Sequence, residues 1–534
     1  MFFQYRFVKI AASCLFFQIY LIGQDNYPRQ PQLDVVQYEF ALSFHDHTNT
    51  IEGEAIIHIR FVEKNHKVVL DLTQQKSNGK GMKILNAKTT PYKSEYIHDN
   101  DQIIFQFDED IPVGTYIKVN IQYEGEPVDG MIIDKNKYGD RTFFGDNWPN
   151  RARNWLPCID HPYDKSAVHF SITAPLHYKV IANGALREES DLLNGYKLTR
   201  WEENTPIPTK VMVVGAARFA VERSGWTYNI PVESWIYPQN KEEGFYDYAM
   251  AVNILPFFIE KVGPYSYTKL ANVQSKTRYG GMENAGNIFY YENSVTGNRS
   301  IESLIAHEIA HQWFGNSASE ADWHHIWLSE GFATYLTELY MEHKYGRDKL
   351  VEGMLKTRQT VLNYSRNSSA SVIPSYISDL NELLNPNSYQ KGAWVLHMLR
   401  KEMGDLDFWR AIRTYYRDFQ NRNAWTKDFM AVCNRISGKE LMWFFDQWLH
   451  VPGHPKISIK MNLKDNLTQF TLEQMQNPVF QFVLEGEAID RDGKIHRLRI
   501  PVEERKTEFT LENVSLEGSV NWDPNVWLLF EMVD

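Results

Sequence analysis

Cysteine is scarce in this chain, with three residues in 534 (Cys14, Cys158 and Cys433), so no disulfide framework holds the fold. Positive charge is also in deficit. Asp and Glu number 67 against 56 Lys and Arg, a formal charge of -11, and no Lys/Arg-rich block stands out, which argues against a nucleic-acid partner. Past the first two dozen residues no segment reaches eighteen continuous apolar residues, so no later segment reads as a membrane span. Internal repeats and low-complexity linkers are missing too. What is present is 43% apolar residues over a length that exceeds one ordinary core, so two to four domains are expected.

Residues 1–24 read as an export signal outside the fold. Arg6 and Lys9 give a positive start, Ile10 to Ile22 an apolar run broken only by Ser13 and Gln18, and Gly23-Gln24 a cleavage region. Removing two positive charges and no acids moves the formal charge from -11 to -13 and leaves Cys158 and Cys433 as the mature cysteines, whose pairing stays open. The expected location is periplasmic or extracellular. An uncleaved anchor is the alternative; a lipoprotein would need Cys14 as its lipidated residue, and the apolar run continues past it.

Three textures follow, and together they predict a multidomain α+β protein. In residues 25–220, "YEFALSF" alternates Tyr38, Phe40, Leu42 and Phe44, and "EAIIHIRF" repeats the pattern, which predicts an antiparallel β domain. Helical spacing takes over in 221–449, as in "SLIAHEIAHQWF", "GFATYLTELYMEH" and "YQKGAWVLHMLRKEM". In 450–534, after "VPGHP", alternation returns in "KISIKMNL" and "FQFVLEGEAI", with Asp492-Gly493 as a hairpin turn, enough for a small β-sandwich.

The chemistry concentrates in "HEIAHQWFGN", His307 to Asn316. Two histidines at i and i+4 lie on nearly the same side of a helix and can share one tetrahedral ion, while Glu308, about 100° around the helix, can act on a water there. Taken alone, the pair could equally be helical histidines beside a glutamate. "WLSEGFATYL" offers a third ligand, Glu330, with eighteen residues between it and His311. Three protein ligands leave one position for chemistry.

The set "GGMEN" (Gly280 to Asn284), "HEIAHQWFGN", "WLSEGFATYL" and "SYQKGAW", in that order, resembles the aminopeptidase N-like zinc metallopeptidases, peptidase family M1. The resemblance runs from roughly residue 30 to the end and is strongest between Gly280 and Trp394. It implies a thermolysin-like catalytic domain, one zinc per chain on His307, His311 and Glu330, and Glu308 as general base and proton shuttle. By the same resemblance Glu283 binds the free amino terminus of a peptide substrate, Tyr389 steadies the oxyanion, and Gly280 and Gly281, followed by Met282 and Asn284, line the cleft as an extended strand. A carboxylate pairing with the substrate ammonium fixes which bond lies over the metal, making an exopeptidase; a thermolysin-type endopeptidase and a catalytically silent peptide-binding protein are the rivals.

Departures from the family pattern carry expectations of their own. A glutamine or glutamate twelve residues ahead of Asp160 often gives the substrate amine a second anchor, and here that position is Trp148. Asp146, on the same face if the segment is extended, is the candidate replacement, with the Trp148 indole as an apolar wall of the first side-chain pocket. An acid seven residues beyond the third ligand is replaced by Thr337, with Glu338 beside it, so the group that orients a liganding histidine is unassigned. The related leukotriene epoxide hydrolase uses an aspartate eight residues before the tyrosine, where this chain has Asn381, which argues against that activity. Larger relatives continue into a helical domain, whereas this chain runs about 80 residues past Pro455, so its cleft is expected to be open or covered by another chain. The preferred first residue and the oligomeric state are not legible.

Overall fold

Alternation in the N-terminal strands sorts residues between core and solvent as expected. In the strand Leu33–Ser43, Tyr38, Phe40 and Leu42 are buried, and Phe44 follows them inward. Its antiparallel neighbour Ile51–Phe61 buries Ala55, Ile57, Ile59 and Phe61. The computed structural model describes residues 25–464, 467–490, 493–511 and 519–533, so the N-terminal segment read as an export signal lies outside the described residues.

These two strands sit in a seven-stranded sheet that is antiparallel except where Leu33–Ser43 runs parallel to Ser166–Pro175. A three-stranded sheet and a four-stranded sheet accompany it. The four-stranded one contains Arg141–Gly145, whose C-terminal end leads directly into Asp146 and Trp148, both buried.

A mixed α/β region follows. Its five-stranded sheet orders Ala220–Thr227, Ile230–Ile236, Leu270–Ser275, Asn287–Tyr291 and, at the edge, the two-residue strand Gly281–Met282. The middle three are parallel and the edge strand antiparallel. The "SLIAHEIAH" stretch forms the helix Glu302–His311, and "WLSEGFATYL" opens the longer helix Trp327–Tyr345. "SYQKG" is a π-helical turn, Asn387–Lys391, running straight into the helix Gly392–Met403. Such single π turns recur at functional sites.

Close backbone approach brings these helices together. A Cβ placed on Gly331 would lie 2.9 Å from the Gly392 Cα and 3.2 Å from the Ser388 carbonyl, so the helix bearing Glu330 can press on the turn bearing Tyr389 only through glycine. No helix among the described residues is long and apolar enough to cross a membrane.

The C-terminal region is β, in two sheets of four and three strands. Lys456–Lys464 pairs with Leu467–Gln474, and Phe482–Ile489 with Ile495–Val502; Asp492 of the expected turn lies outside the described residues, while Gly493 takes φ +79°. Cys158 and Cys433 are free, buried in separate hydrophobic cores.

Candidate active site

His307 and His311 point the same way from the Glu302–His311 helix, with their Nε2 atoms 3.1 Å apart. Glu330, in the first turn of the next long helix, places Oε2 at 3.2 Å from His311 Nε2 and 3.6 Å from His307 Nε2. A tetrahedral zinc with ligand bonds near 2.05 Å holds its donors about 3.3 Å apart. The three separations bracket that value, and Glu330 Oε2 is buried without a hydrogen-bond partner. His311 Nδ1 lies 3.2 Å from the Phe314 carbonyl and 3.1 Å from Ser329 Oγ. Donation from Nδ1 to that carbonyl leaves the Nε2 lone pair for a metal, the usual division of labour in a liganding imidazole. The residues therefore fit a zinc ion with one position left for substrate chemistry.

Electrostatics follow from crowding carboxylates and imidazoles in a buried space. Burial opposes charge on Glu330, but the two histidines outweigh it and hold its carboxyl well below the ordinary range. His311 is likewise desolvated, yet Glu330, Glu283 and Glu308 push it up to about 10. Burial lowers His307 despite its contact with Glu330. Glu308 is driven well above the ordinary carboxyl range by burial, with Glu283 and Glu330 adding to the effect and His311 opposing it. A carboxyl group beside the metal set is where a proton shuttle would stand.

The edge strand supplies the opposite wall. An added Cβ on Gly281 would collide with the Glu308 carboxylate, so glycine lets that carboxylate lie against the strand. Glu283, just beyond the strand, is 5% exposed with an unpartnered Oε1, and its carboxylate, that of Glu308 and a His311 ring nitrogen lie within 4.8 Å of one another. Its backbone is gripped from just beyond the histidine-bearing helix: Gln312 Nε2 donates to the Glu283 carbonyl at 2.9 Å and Asn316 Nδ2 at 2.5 Å. Tyr389 stacks on His307 at 6.0 Å between centroids, and burial together with Glu330, Glu283 and Glu308 raises its phenol well above the usual range, keeping it a donor.

Residues 35–211 match the peptidase M1 N-terminal domain, and residues 246–448 match the peptidase family M1 domain. The chain belongs to peptidase family M1. Similar proteins include the leucyl aminopeptidase of Saccharolobus solfataricus, 24% identical over 516 residues, which are 92% of this chain and 62% of that protein. The glutamyl aminopeptidase of Homo sapiens is 27% identical over 353 residues, 62% of this chain and 36% of that one. Aminopeptidase M1-C of Oryza sativa subsp. japonica is 25% identical over 416 residues, 74% of this chain and 46% of that one. The chain thus spans between about a third and two thirds of the length of these M1 relatives.

Within this M1 chain one pocket gathers Trp148, Gly281, Met282, Glu283, His307, Glu308, His311, Glu330 and Tyr389, together with Tyr279 and Leu384. Gly280 precedes the edge strand; Asn284 is buried, and its side-chain amide has no partner. Asp146 is not brought to the pocket. It is fully buried, accepts from Arg151 Nη2 at 2.6 Å and from the Arg278 backbone N–H at 3.2 Å, and faces Thr277 Oγ1. Thr337 donates to the Ala333 carbonyl within its own helix, and half-buried Glu338, its carboxyl pushed up to about 7 by desolvation, packs against Gly353. The partners of His311 are instead Ser329 and a backbone carbonyl. Sequence reasoning missed Ser329, Tyr279, Leu384, Gln312 and Asn316; of these, Ser329, Gln312 and Asn316 carried a signal, as polar residues inside the stretches that bear Glu330 and the two histidines.

Proposed function

We propose that this chain is a zinc-dependent aminopeptidase hydrolysing the N-terminal bond of peptides with a free amino terminus, on a thermolysin-like domain between an N-terminal β domain and a C-terminal β-sandwich. The observation that carries the reading is the buried Glu283 carboxylate, unpartnered at Oε1, beside the His307–His311–Glu330 set. An ammonium is the partner such a carboxylate lacks, and a peptide held there can present only its first carbonyl to the metal set. That favours an exopeptidase over an endopeptidase. A silent binding protein would have no use for Glu308, which ligates nothing in the three-residue set.

His307, His311 and Glu330 would hold a zinc ion, which would supply Lewis-acid polarisation of the scissile carbonyl and of the attacking water. Glu308 takes the proton from that water as the new C–O bond forms, then delivers it to the leaving amine as the C–N bond breaks. Tyr389 donates a hydrogen bond to the developing oxyanion, stabilising charge that exists mainly in the transition state. Glu283 keeps the amine in place, and Gly280-Gly281 offers open backbone on the sheet edge to the peptide. The charged, apolar-run signature of residues 1–24 supports export of the enzyme.

The test is Glu308→Gln with metal analysis beside an aminoacyl amide assay, free and N-acetylated. Expected are about one zinc per chain, a rate lower by at least about two to four orders of magnitude, and no turnover of acetylated substrate by the parent. Near-parental turnover in the variant would refute the mechanism.

A further inference from the structure

We infer that Trp148 narrows the space for the first side chain, so that the site favours a hydrogen or a methyl group over bulkier side chains; the inference rests on the aminopeptidase reading above. With its ammonium on Glu283 and its carbonyl at the metal set, a substrate carries its α-carbon between them, and the side chain on that carbon must fit against whatever flanks Glu283. Trp148 and Tyr279 are the large rings from outside the metal set that line the pocket with Glu283.

Space is tight on the inner side. The free volume among these residues and the metal set is about 60 Å³ and opens to solvent, whereas an engineered apolar cavity that binds benzene is about 150 Å³. A phenyl or isobutyl group can therefore be held only toward the open side, with less of its surface covered than a hydrogen or methyl group. Charge disfavours another class: the pocket is lined by Glu283, Glu308 and Glu330 with no Lys or Arg among the described residues, so an acidic first side chain meets like charge.

Trp148 cannot easily swing aside to enlarge this space. It is 2% exposed and held edge-to-face by Tyr279 on one side and Trp323 on the other, each at 5.9 Å between centroids. Lys210 Nζ lies over the Trp323 ring at 5.6 Å. The backbone is pinned as well: Arg151 Nε donates to the Trp148 carbonyl at 2.6 Å, and the neighbouring Asn147 donates to the Thr209 and Met212 carbonyls at 3.1 and 2.8 Å. Nor can the indole serve as the missing amine anchor, since Nε1–H is a donor and an ammonium needs an acceptor.

The experiment compares kcat/KM for glycine, alanine, leucine, phenylalanine and glutamate 4-nitroanilides in the zinc-loaded full chain, in Trp148→Leu and in the milder Trp148→Phe, which keeps aromatic packing if the first variant folds poorly. Alaninamide and leucinamide binding to Glu308→Gln is measured alongside by calorimetry. The parent is expected to favour alanine over leucine and phenylalanine by roughly thirtyfold or more, and the Trp148 variants to raise the leucine-to-alanine ratio at least about tenfold. A parent preferring leucine, phenylalanine or glutamate overturns the size preference; a ratio unchanged in both folded variants overturns the role of Trp148. If no amide is turned over, the aminopeptidase reading falls by itself. Binding then decides the size preference: tighter binding of alaninamide than of leucinamide supports it, and equal binding overturns it.

Discussion

Behind the pocket wall, Lys210 and Glu320 form an ion pair with side chains 1% and 0% exposed, and removing one partner has a calculable cost. Lys210 is the protein partner of Glu320 Oε1, while Oε2 has none. Burial already lifts the Glu320 carboxyl above its ordinary range against the pull of Lys210. In Lys210→Met the carboxyl would lose its hydrogen-bonded cation, with Lys165 acting on it from further off, and such a buried group takes up a proton instead of staying ionised. The loss is therefore capped by the cost of protonation. With an unfolded-state pKa near 4.3, that cost is about 4 kcal/mol at pH 7.5 and about 1 kcal/mol at pH 5. The sign follows from a folded pKa raised above the unfolded one: stability is intact below about pH 4.3 and falls as pH rises. Replacing both partners, as in Lys210→Met/Glu320→Leu, removes the stranded acid and restores most of the stability. Thermal midpoints of the parent, the single and the double variant at pH 5.0 and 7.5 measure this. An equal drop at both pH values, or a double variant no more stable than the single one, would refute the reasoning.

Three further outcomes are expected. Tyr389→Phe lowers kcat by roughly a hundredfold with little change in KM, since one oxyanion donor contributes about 3 kcal/mol; a melting shift accounting for the whole loss would count against it. Asp146→Asn costs about 1–3 kcal/mol of stability, because it weakens the buried contact with Arg151, and leaves KM for free-amine substrates within about twofold; a raised KM at unchanged stability would return Asp146 to the amine site. Burial depresses His325 and His454 to about 4 and His397 to about 3, so these imidazoles are neutral when folded and protonate on unfolding below about pH 6.5. Stability falls as pH drops from 6.5 toward 4, and His397→Gln should flatten the slope of unfolding free energy between pH 6 and 4.5 by close to one proton, about 1.4 kcal/mol per pH unit.

Helical and strand periods are local, and what rests on them was legible without a structure. The i, i+4 pairing of His307 and His311, the alternating core residues from Tyr38 to Phe44, and the helical character of "WLSEGFATYL" each need only the geometry of a few consecutive residues. Even Glu330, separated by a whole loop, could be proposed from the donor count that zinc chemistry requires. The partners chosen by packing lay beyond that reach. Asp146 and Trp148 share one strand end, yet Asp146 is taken by Arg151 while Trp148 is clamped between Tyr279 and Trp323, residues 131 and 175 positions further along. Lys210 meets Glu320 across 110 positions, and His311 turns to Ser329 and the Phe314 carbonyl where an acid had been sought. Such choices depend on which surfaces the docked sheets and helices press together, and a buried polar group takes whichever partner that docking leaves within about 3 Å. The residue types capable of the chemistry were therefore set by sequence, whereas the size of the space they enclose was decided by tertiary packing alone.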